Sequence, residues 1–147
     1  MQQFLENKRK VRNNNLKMYK KQNVWDAALE RIRWIYSEFP SVSVSVSGGK
    51  DSTVIFNLCL IVARELNRLP LKIKFIDQEA EWQATVDQIR YMMYHPDVNP
   101  FWYQVPFKLF NATSSTEHWL YCWEPSREAD WVHPKDPIAI TDNIYNV

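Results

Sequence analysis

The spacing of apolar and polar residues along the chain predicts helices and strands in alternation. Three segments repeat apolar residues at intervals of three and four, which is the period of an amphipathic helix. Other segments are strictly alternating or rich in β-branched residues, which predicts strands. The predicted helices are 23–39, 53–69 and 82–94, and the predicted strands are 41–46, 71–77, 101–107 and 136–141.

The order of these elements indicates the fold class. Helices that alternate with strands favour an α/β protein, with an open, mostly parallel sheet, right-handed crossovers and helices on both faces. Asn23 is a suitable N-cap for the first helix, and Pro40 and Pro70 each stop the helix before them. Residues 116–123 fit a turn or two of helix. We therefore expect a Rossmann-like domain.

Both glycines of the 147-residue chain stand together, at Gly48 and Gly49. Average usage would give roughly ten glycines in a chain of this length. The pair falls between the first predicted strand and the next helix, at the edge where open α/β sheets bind ligands. Free N–H groups and the helix dipole favour an anion there, and glycine lets a ligand approach the backbone. The pair therefore predicts a phosphate site.

The residues beside the glycines agree with a phosphate ligand. Ser47 and Ser52 carry hydroxyl groups and Lys50 carries a positive charge, whereas Asp51 suits a phosphate only with Mg²⁺ between them. The G-x-x-x-x-G-K-[ST] loop is excluded, because Val44 and Asp51 stand where it needs Gly and Ser or Thr. A plain strand-to-helix turn is the other interpretation. It does not explain six consecutive small, polar or charged residues.

The stretch SGGKDS, residues 47–52, resembles the S-G-G-x-D-S signature of the PP-loop superfamily of adenine nucleotide α-hydrolase-like proteins. The layout of strand, loop, helix and strand, followed by IKFIDQEAEW, looks most like the PAPS reductase-like branch. FIDQEAEWQATVDQIRYMM and NATSSTEHWLYCWEPSREADWV look more narrowly like the immunoglobulin-binding-regulator A group of bacteria and phages. The resemblance runs from residue 23 to the C-terminus, and the chain looks like a short or truncated member.

The resemblance implies a ligand and the residues that bind it. Ser47, Gly48, Gly49, Asp51 and Ser52 match the loop that holds the phosphates of ATP or of the sulfonucleotides APS and PAPS. Lys50 occupies the variable position of the motif, so its role in nucleotide binding is inferred from its charge alone.

A second acidic segment follows the second predicted strand. PAPS reductases carry D-T-G beside the nucleotide, and this chain has Asp77-Gln78-Glu79 there. This is a departure from the family's pattern. We expect the segment to bring Asp77, Glu79 and Glu81 near the loop, where with Asp51 they would form a Mg²⁺ site, with Asp51 and Asp77 as catalytic residues. Glu79 and Glu81 have an alternative interpretation, as acids at a solvated helix N-terminus.

Thr113 and Ser114 are further candidates for nucleotide binding. They lie in a stretch of small polar residues, 111–115, after the third predicted strand, where a doubly wound sheet would bring them to the ligand edge. The alternative interpretation is a helix-capping turn before Thr116.

The cysteines limit the chemistry. Cys59 and Cys122 are the only two, and neither lies in an E-C-G-x-H segment such as PAPS reductases use. Two thiols cannot ligate an iron–sulfur cluster, so none is expected. Two functional classes stay open. One is an enzyme of sulfonucleotide or ATP-pyrophosphatase type, incomplete alone, and the other is a nucleotide-binding regulatory module that acts with a protein partner, an oligomer or nucleic acid.

Charge divides the chain into a basic arm, residues 1–22, and a nucleotide-binding domain, residues 23–147. Residues 1–21 carry a net charge of +6, which leaves −5 for the rest of a chain whose total is +1. The arm would suit nucleic acid or an acidic partner, and a solvated terminus is the alternative. No apolar run is long enough for a membrane span and no secretory signal is evident, so a cytoplasmic protein is expected.

Overall fold

The computed structural model describes residues 21–142, which form three helices, five strands and one 3₁₀ helix. The predicted basic arm, apart from its last two residues, lies outside the described residues. No helix in the described range is long and apolar enough to cross a membrane. The elements in chain order are α1 (Val24–Glu38), β1 (Ser43–Ser45), α2 (Lys50–Glu65), β2 (Leu71–Ile76), α3 (Gln83–Met93), β3 (Val98–Tyr103), β4 (Phe107–Phe110), β5 (Trp119–Cys122) and the 3₁₀ helix (Pro125–Asp130).

A three-stranded parallel sheet in the order β1-β2-β3 organises the chain. The α2 helix packs against β1 and β2, α3 packs against β3, and α1 packs on α2. Leu71, Ile73 and Phe75 of the central strand are buried in the core beneath these helices. The predicted α/β class, with a parallel sheet and intervening helices, is therefore confirmed.

Helices cover only one face of this sheet in residues 21–142, whereas we predicted helices on both faces. Lys72, Lys74 and Ile76 alternate with the buried residues of β2 and are exposed. A parallel strand covered on both faces reads as a continuous apolar run, and β2 does not. The alternation of buried and exposed residues in β2 therefore already indicated that one face of the sheet is exposed.

The third and fourth predicted strands differ from the structure. The β3 strand begins three residues earlier than predicted and leaves the sheet after Tyr103, in register with β2 from Leu71↔Val98 to Ile76↔Tyr103. The predicted strand at 136–141 is reduced to one parallel bridge between Tyr103 and Ile140. Pairing with β2, rather than local composition, sets the length of β3.

The prediction of helix at residues 116–123 is wrong. The β5 strand pairs antiparallel with β4, from Phe107↔Cys122 to Phe110↔Trp119, in a separate two-stranded sheet. The rings of Phe110 and Trp119 pack edge to face across this pair, with their centroids 5.8 Å apart. Cross-strand aromatic contacts stabilise a hairpin and are not visible in the local sequence.

The boundaries of α1 and α3 agree with the periodicity to within one residue, whereas α2 lies three to four residues earlier than predicted. The side chain of Asn23 accepts from Asp26 N at 2.8 Å, so the predicted N-cap of α1 is confirmed. The α2 helix begins at Lys50 rather than at residue 53. Lys50, Asp51 and Ser52 are therefore its first turn, directly after the glycine pair.

Candidate functional site

The two glycines have different physical roles. Gly48 has φ +71°, in the region that side-chain-bearing residues rarely adopt. A Cβ at Gly48 would lie 2.8 Å from Thr85 Cγ2 and 3.0 Å from Thr85 O of α3. Gly48 is therefore required by the turn itself and by the close approach of α3.

Gly49 is not required by the backbone. It is the N-cap of α2, with φ −77° and ψ 165°, an extended conformation that any residue adopts. A Cβ there would meet only Ser47 Oγ, at an ordinary 3.6 Å. Ser, Asn and Asp are better N-caps than Gly, because their side chains accept from the first-turn N–H groups. Within the described residues no side chain caps these donors, and the absence of a Cβ leaves space beside them.

The two serine hydroxyls hold the loop together. Ser52 Oγ accepts from Ser47 N and from Ser47 Oγ, each at 3.2 Å, and donates to Gly49 O at 3.0 Å. Both hydroxyl protons are thus directed within the loop. The groups left to face a ligand are the backbone N–H groups of the first turn of α2 and the ammonium of Lys50.

Lys50 and Asp51 lie exposed in that first turn, and neither makes an ion pair within the described residues. The amino end of a helix attracts anions, and the lysine adds a full charge to it. Asp51 is the one acid in the first turn. Its carboxylate is accessible to a cation that an anionic ligand brings with it.

A cleft of about 280 Å³ adjoins the loop at the carboxyl ends of β1 and β2. Ser45, Ser47 and Lys74 line it on the strand side, and Gln78 and Glu81 line it on the other. Partial burial, with Asp77 nearby, raises the pKa of Glu81 above its ordinary value, and His133 opposes that rise. The cleft is close to the lower end of the size range of ligand pockets, about 300 Å³.

Asp77 lies at the same edge of the sheet and is fully buried. Its Oδ2 accepts from Trp102 Nε1 at 2.9 Å and from Gln104 Nε2 at 2.8 Å. Its Oδ1 accepts from Glu79 N at 2.8 Å. These three bonds satisfy a carboxylate that would otherwise be costly to bury. The predicted catalytic and metal-binding roles of Asp77 stay predictions.

Glu79 is held by Trp123. Glu79 Oε2 accepts from Trp123 N at 2.6 Å, and Trp123 Nε1 donates to Asp77 O at 2.8 Å. No three His, Cys, Asp or Glu side chains of residues 21–142 form a group that could hold a metal ion. The predicted set of Asp51, Asp77 and Glu79 is thus not assembled here as a preformed three-ligand site, and its role with Mg²⁺ stays a prediction.

The network around Asp77 continues into the C-terminal segment. His133 Nε2 lies 3.6 Å from Asp77 Oδ1 and is buried, with no hydrogen-bond partner in the part of the chain that the structure describes. Gln104 Oε1 accepts from Asp136 N at 2.7 Å, and Asp136 pairs with Arg90 Nε at 3.0 Å. Residues distant in sequence therefore cover the carboxyl edge of the sheet.

Thr113 and Ser114 lie at the tip of the β4–β5 hairpin, not at the edge of the parallel sheet. Asn111 Oδ1 accepts from Thr113 N at 3.1 Å and from its hydroxyl at 2.7 Å. Ser114 Oγ accepts from Glu117 N at 2.9 Å. These local bonds hold a turn that leads into β5, and no helix follows it, so the alternative interpretation as a helix-capping turn is wrong. The nucleotide-binding roles of Thr113 and Ser114 stay predictions.

Both cysteines are buried and free. Burial raises the pKa of Cys59 to about 11. Burial, with Glu79 and Asp77 nearby, raises the pKa of Cys122 to about 11. Thiols in such surroundings stay protonated near neutral pH and react slowly.

Our sequence interpretation did not identify the residues around Asp77, which are the donors Trp102, Gln104 and Trp123 and the neighbouring His133. One signal was available. Gln104 is an amide inside the apolar run FWYQVPF, and a polar residue in such a run is commonly buried with a partner. The identity of that partner, 27 residues earlier in the chain, was not readable.

Comparison with known proteins gives one relative. The chain is 34% identical over 123 residues to the "Uncharacterized protein YbdN" of Escherichia coli (strain K12), and the match covers 82% of this chain. The chain spans 30% of the length of that relative. No protein-family model matches the chain, and no solved structure matches it. The comparisons thus show a chain similar to part of a longer bacterial protein.

Proposed function

We propose that residues 47–52 bind the phosphates of an adenine nucleotide. The observation that carries this proposal is Gly49, a glycine that neither its backbone conformation nor its neighbours require, at the uncapped start of α2. Backbone N–H groups there, with Lys50, match the charge and the acceptor oxygens of a phosphate. The adenine base is inferred from the resemblance of SGGKDS to the PP-loop superfamily.

Mg²⁺ is the cation that this proposal includes. Asp51 is exposed beside the loop, and an acid next to a phosphate is repulsive unless a cation lies between them. Mg²⁺ is commonly held by one or two carboxylates together with substrate phosphates. Asp51 would therefore hold the ion together with the nucleotide. The adjoining cleft, with Ser45 and Glu81 in its walls, would hold the nucleoside.

The state of the two cysteines favours nucleotide binding over reduction of a sulfonucleotide by a thiol. Reduction of a sulfonucleotide needs a thiolate at the sulfo group, whereas Cys59 and Cys122 are buried with raised pKa values. The function that we propose is nucleotide binding with Mg²⁺, either for cleavage at the α-phosphate or for regulation of a partner. Reduction of PAPS by this chain alone is not part of it.

Titration calorimetry with ATP, APS and PAPS, with Mg²⁺ and with EDTA, tests the proposal. The decisive variant is Gly49→Ser, because a serine N-cap fits the backbone and offers its own oxygen to the first-turn N–H groups. We expect the affinity for the nucleotide to fall about tenfold or more, which is about 1.4 kcal/mol. Thermal stability should stay the same or rise.

Asn23→Ser is the matched control, because it changes an N-cap of the same kind at α1, away from the glycine loop. It should leave nucleotide affinity unchanged. If Gly49→Ser binds all three nucleotides as tightly as the parent, the phosphate site is not at this loop.

A further inference from the structure

A second cavity lies at the carboxyl edge of the parallel sheet, at the opposite end of that edge from the glycine loop. Ile140 bridges in parallel to Tyr103, the last residue of β3, so Thr141 follows the carboxyl end of this pairing. Thr141 lines a cavity of about 730 Å³ together with residues of the segment 125–135. Open α/β sheets bind ligands at this edge, and pockets for small molecules measure about 300 to 1,000 Å³. The cavity therefore has the place and the size of a binding site.

Three rings form much of the cavity wall, those of Pro125, Trp131 and Pro134. Two contacts hold the indole of Trp131 in place. It packs edge to face on the fully buried Trp123, with the ring centroids 5.2 Å apart. Its Nε1 donates to Glu124 O at 3.2 Å. These walls suit the apolar part of a ligand.

Lys135 adds a cation that no carboxylate of the described residues neutralises. Its Nζ lies 4.8 Å from the ring centroid of Trp131 and 5.7 Å from that of Trp123. The side chain is half-buried, and it forms no ion pair within residues 21–142. Aromatic rings attract an ammonium group, but a partly desolvated charge is stabilised further by an opposite charge. The lysine therefore favours an anionic group in the cavity.

Glu128 lines the same cavity with the opposite charge. It lies in the 3₁₀ helix, its side chain is exposed, and it too forms no ion pair in the part of the chain that the structure describes. Its neighbours Arg127 and Asp130 pair with each other at 3.7 Å. A purely anionic ligand would meet repulsion from Glu128, and a purely cationic one would meet repulsion from Lys135. A ligand that carries both charges is matched by both residues.

We propose that this cavity binds a small zwitterion, of which a free α-amino acid with an apolar side chain is the simplest case. The carboxylate of the ligand pairs with Lys135, and its ammonium group pairs with Glu128. Its apolar side chain packs on the rings of the wall. The site is independent of nucleotide binding, since none of residues 47–52 lines the cavity.

Three probes of similar shape test the proposal. L-Phenylalanine carries both charges, 3-phenylpropanoate carries only the carboxylate, and phenethylamine carries only the ammonium group. NMR titration of the 147-residue chain follows the indole N–H signal of Trp131, which is assigned by its loss in Trp131→Phe. We expect saturable shifts, with L-phenylalanine bound about tenfold more tightly than either of the other two probes. The indole signal of Trp34, which is exposed on α1, is the control and should not shift.

Two charge variants separate the two contacts. Lys135→Gln should lower the affinity for L-phenylalanine and for 3-phenylpropanoate about tenfold, and it should not weaken the binding of phenethylamine. Glu128→Gln should lower the affinity for L-phenylalanine and for phenethylamine about tenfold, and it should not weaken the binding of 3-phenylpropanoate. Lys108→Gln is the matched control, because Lys108 also lies over an aromatic ring, that of Tyr121, but outside the cavity. It should change none of the three affinities.

Three results would each overturn the proposal. The first is that L-phenylalanine causes no saturable shift at Trp131. The second is that either single-charge probe binds as tightly as L-phenylalanine, which would leave an apolar patch or a site for one charge only. The third is that Lys135→Gln or Glu128→Gln keeps both the melting temperature and the three affinities of the parent. The probe series on the parent chain needs no variant, so it decides the matter even where a variant fails to fold.

Discussion

The glycine loop, residues 47–52, and the Asp77 cluster, which is Asp77 with Glu79, Trp102 and Gln104, lie at the same edge of the sheet and use polar groups in opposite ways. In the loop, the first-turn N–H groups, Lys50 and Asp51 have no partner among residues 21–142, and both side chains are exposed. In the cluster, Asp77 is fully buried and accepts three hydrogen bonds. Polar groups left free at an edge are available to a ligand, whereas satisfied ones stabilise the fold. Proximity to the edge alone does not make a residue part of the site.

The largest effect should come from breaking the cluster. Asp77→Ala leaves the donors of Trp102, Gln104 and Glu79 buried without an acceptor, so we expect a loss of about 3 kcal/mol in the free energy of unfolding. Urea denaturation measures this loss. Asp51→Ala, at the exposed acid of the loop, should change stability by less than about 1 kcal/mol. Equal losses of stability in the two variants would mean that the loop and the cluster contribute equally to the stability of the fold.

Gly48→Ala should have the next largest effect. It places a Cβ at a positive φ and within 3.0 Å of Thr85, so we expect a loss of about 2 kcal/mol. Gly49→Ala meets no such contact and should change stability by less than about 1 kcal/mol. Thermal denaturation of the pair gives the comparison directly. Similar melting temperatures would contradict the separate roles of the two glycines.

Asp51→Asn should affect binding rather than stability. If Mg²⁺ lies between Asp51 and the phosphates, the substitution lowers ATP affinity about tenfold in Mg²⁺, or about 1.4 kcal/mol, and much less in EDTA. Calorimetry in both buffers measures the difference. The same loss in both buffers would show that Asp51 acts on the loop or the nucleotide without a metal ion.

The smallest effect should be the dependence of stability on the charge of Glu81. The folded state raises the pKa of Glu81 above the ordinary value of 4.5, so it binds the proton more tightly than the unfolded chain. This contribution is present at low pH and is lost as the pH rises through the folded-state pKa. Glu81→Gln should therefore gain stability relative to the parent as the pH increases.

Urea denaturation of the parent and Glu81→Gln at about pH 4 and about pH 7 measures this change. Glu81 is partly exposed, so solvent screens its interactions and the effect should be modest. A relative stability of Glu81→Gln that decreases as the pH rises would contradict the direction of the pKa shift.

The periodicity of the sequence was sufficient for the elements that local residues control. It predicted α1 with its Asn23 cap, the positions of α2 and α3, the first two strands and the loop between β1 and α2. Helical and strand periods depend on residues within a few positions of each other, so they can be read from one segment at a time.

Only the tertiary structure decided how each polar residue is used. Asp77 accepts from residues 25 and 27 positions later in the chain, and the β5 strand forms because β4 lies beside it. The contact of Gly48 with α3 separates its role from that of Gly49. Burial and pairing arise between segments distant in sequence. An exposed aspartate and a buried aspartate cannot be told apart in the sequence itself. The sequence therefore determined the position of the glycine loop between β1 and α2, and the packing decided which polar groups near it are exposed and which are buried.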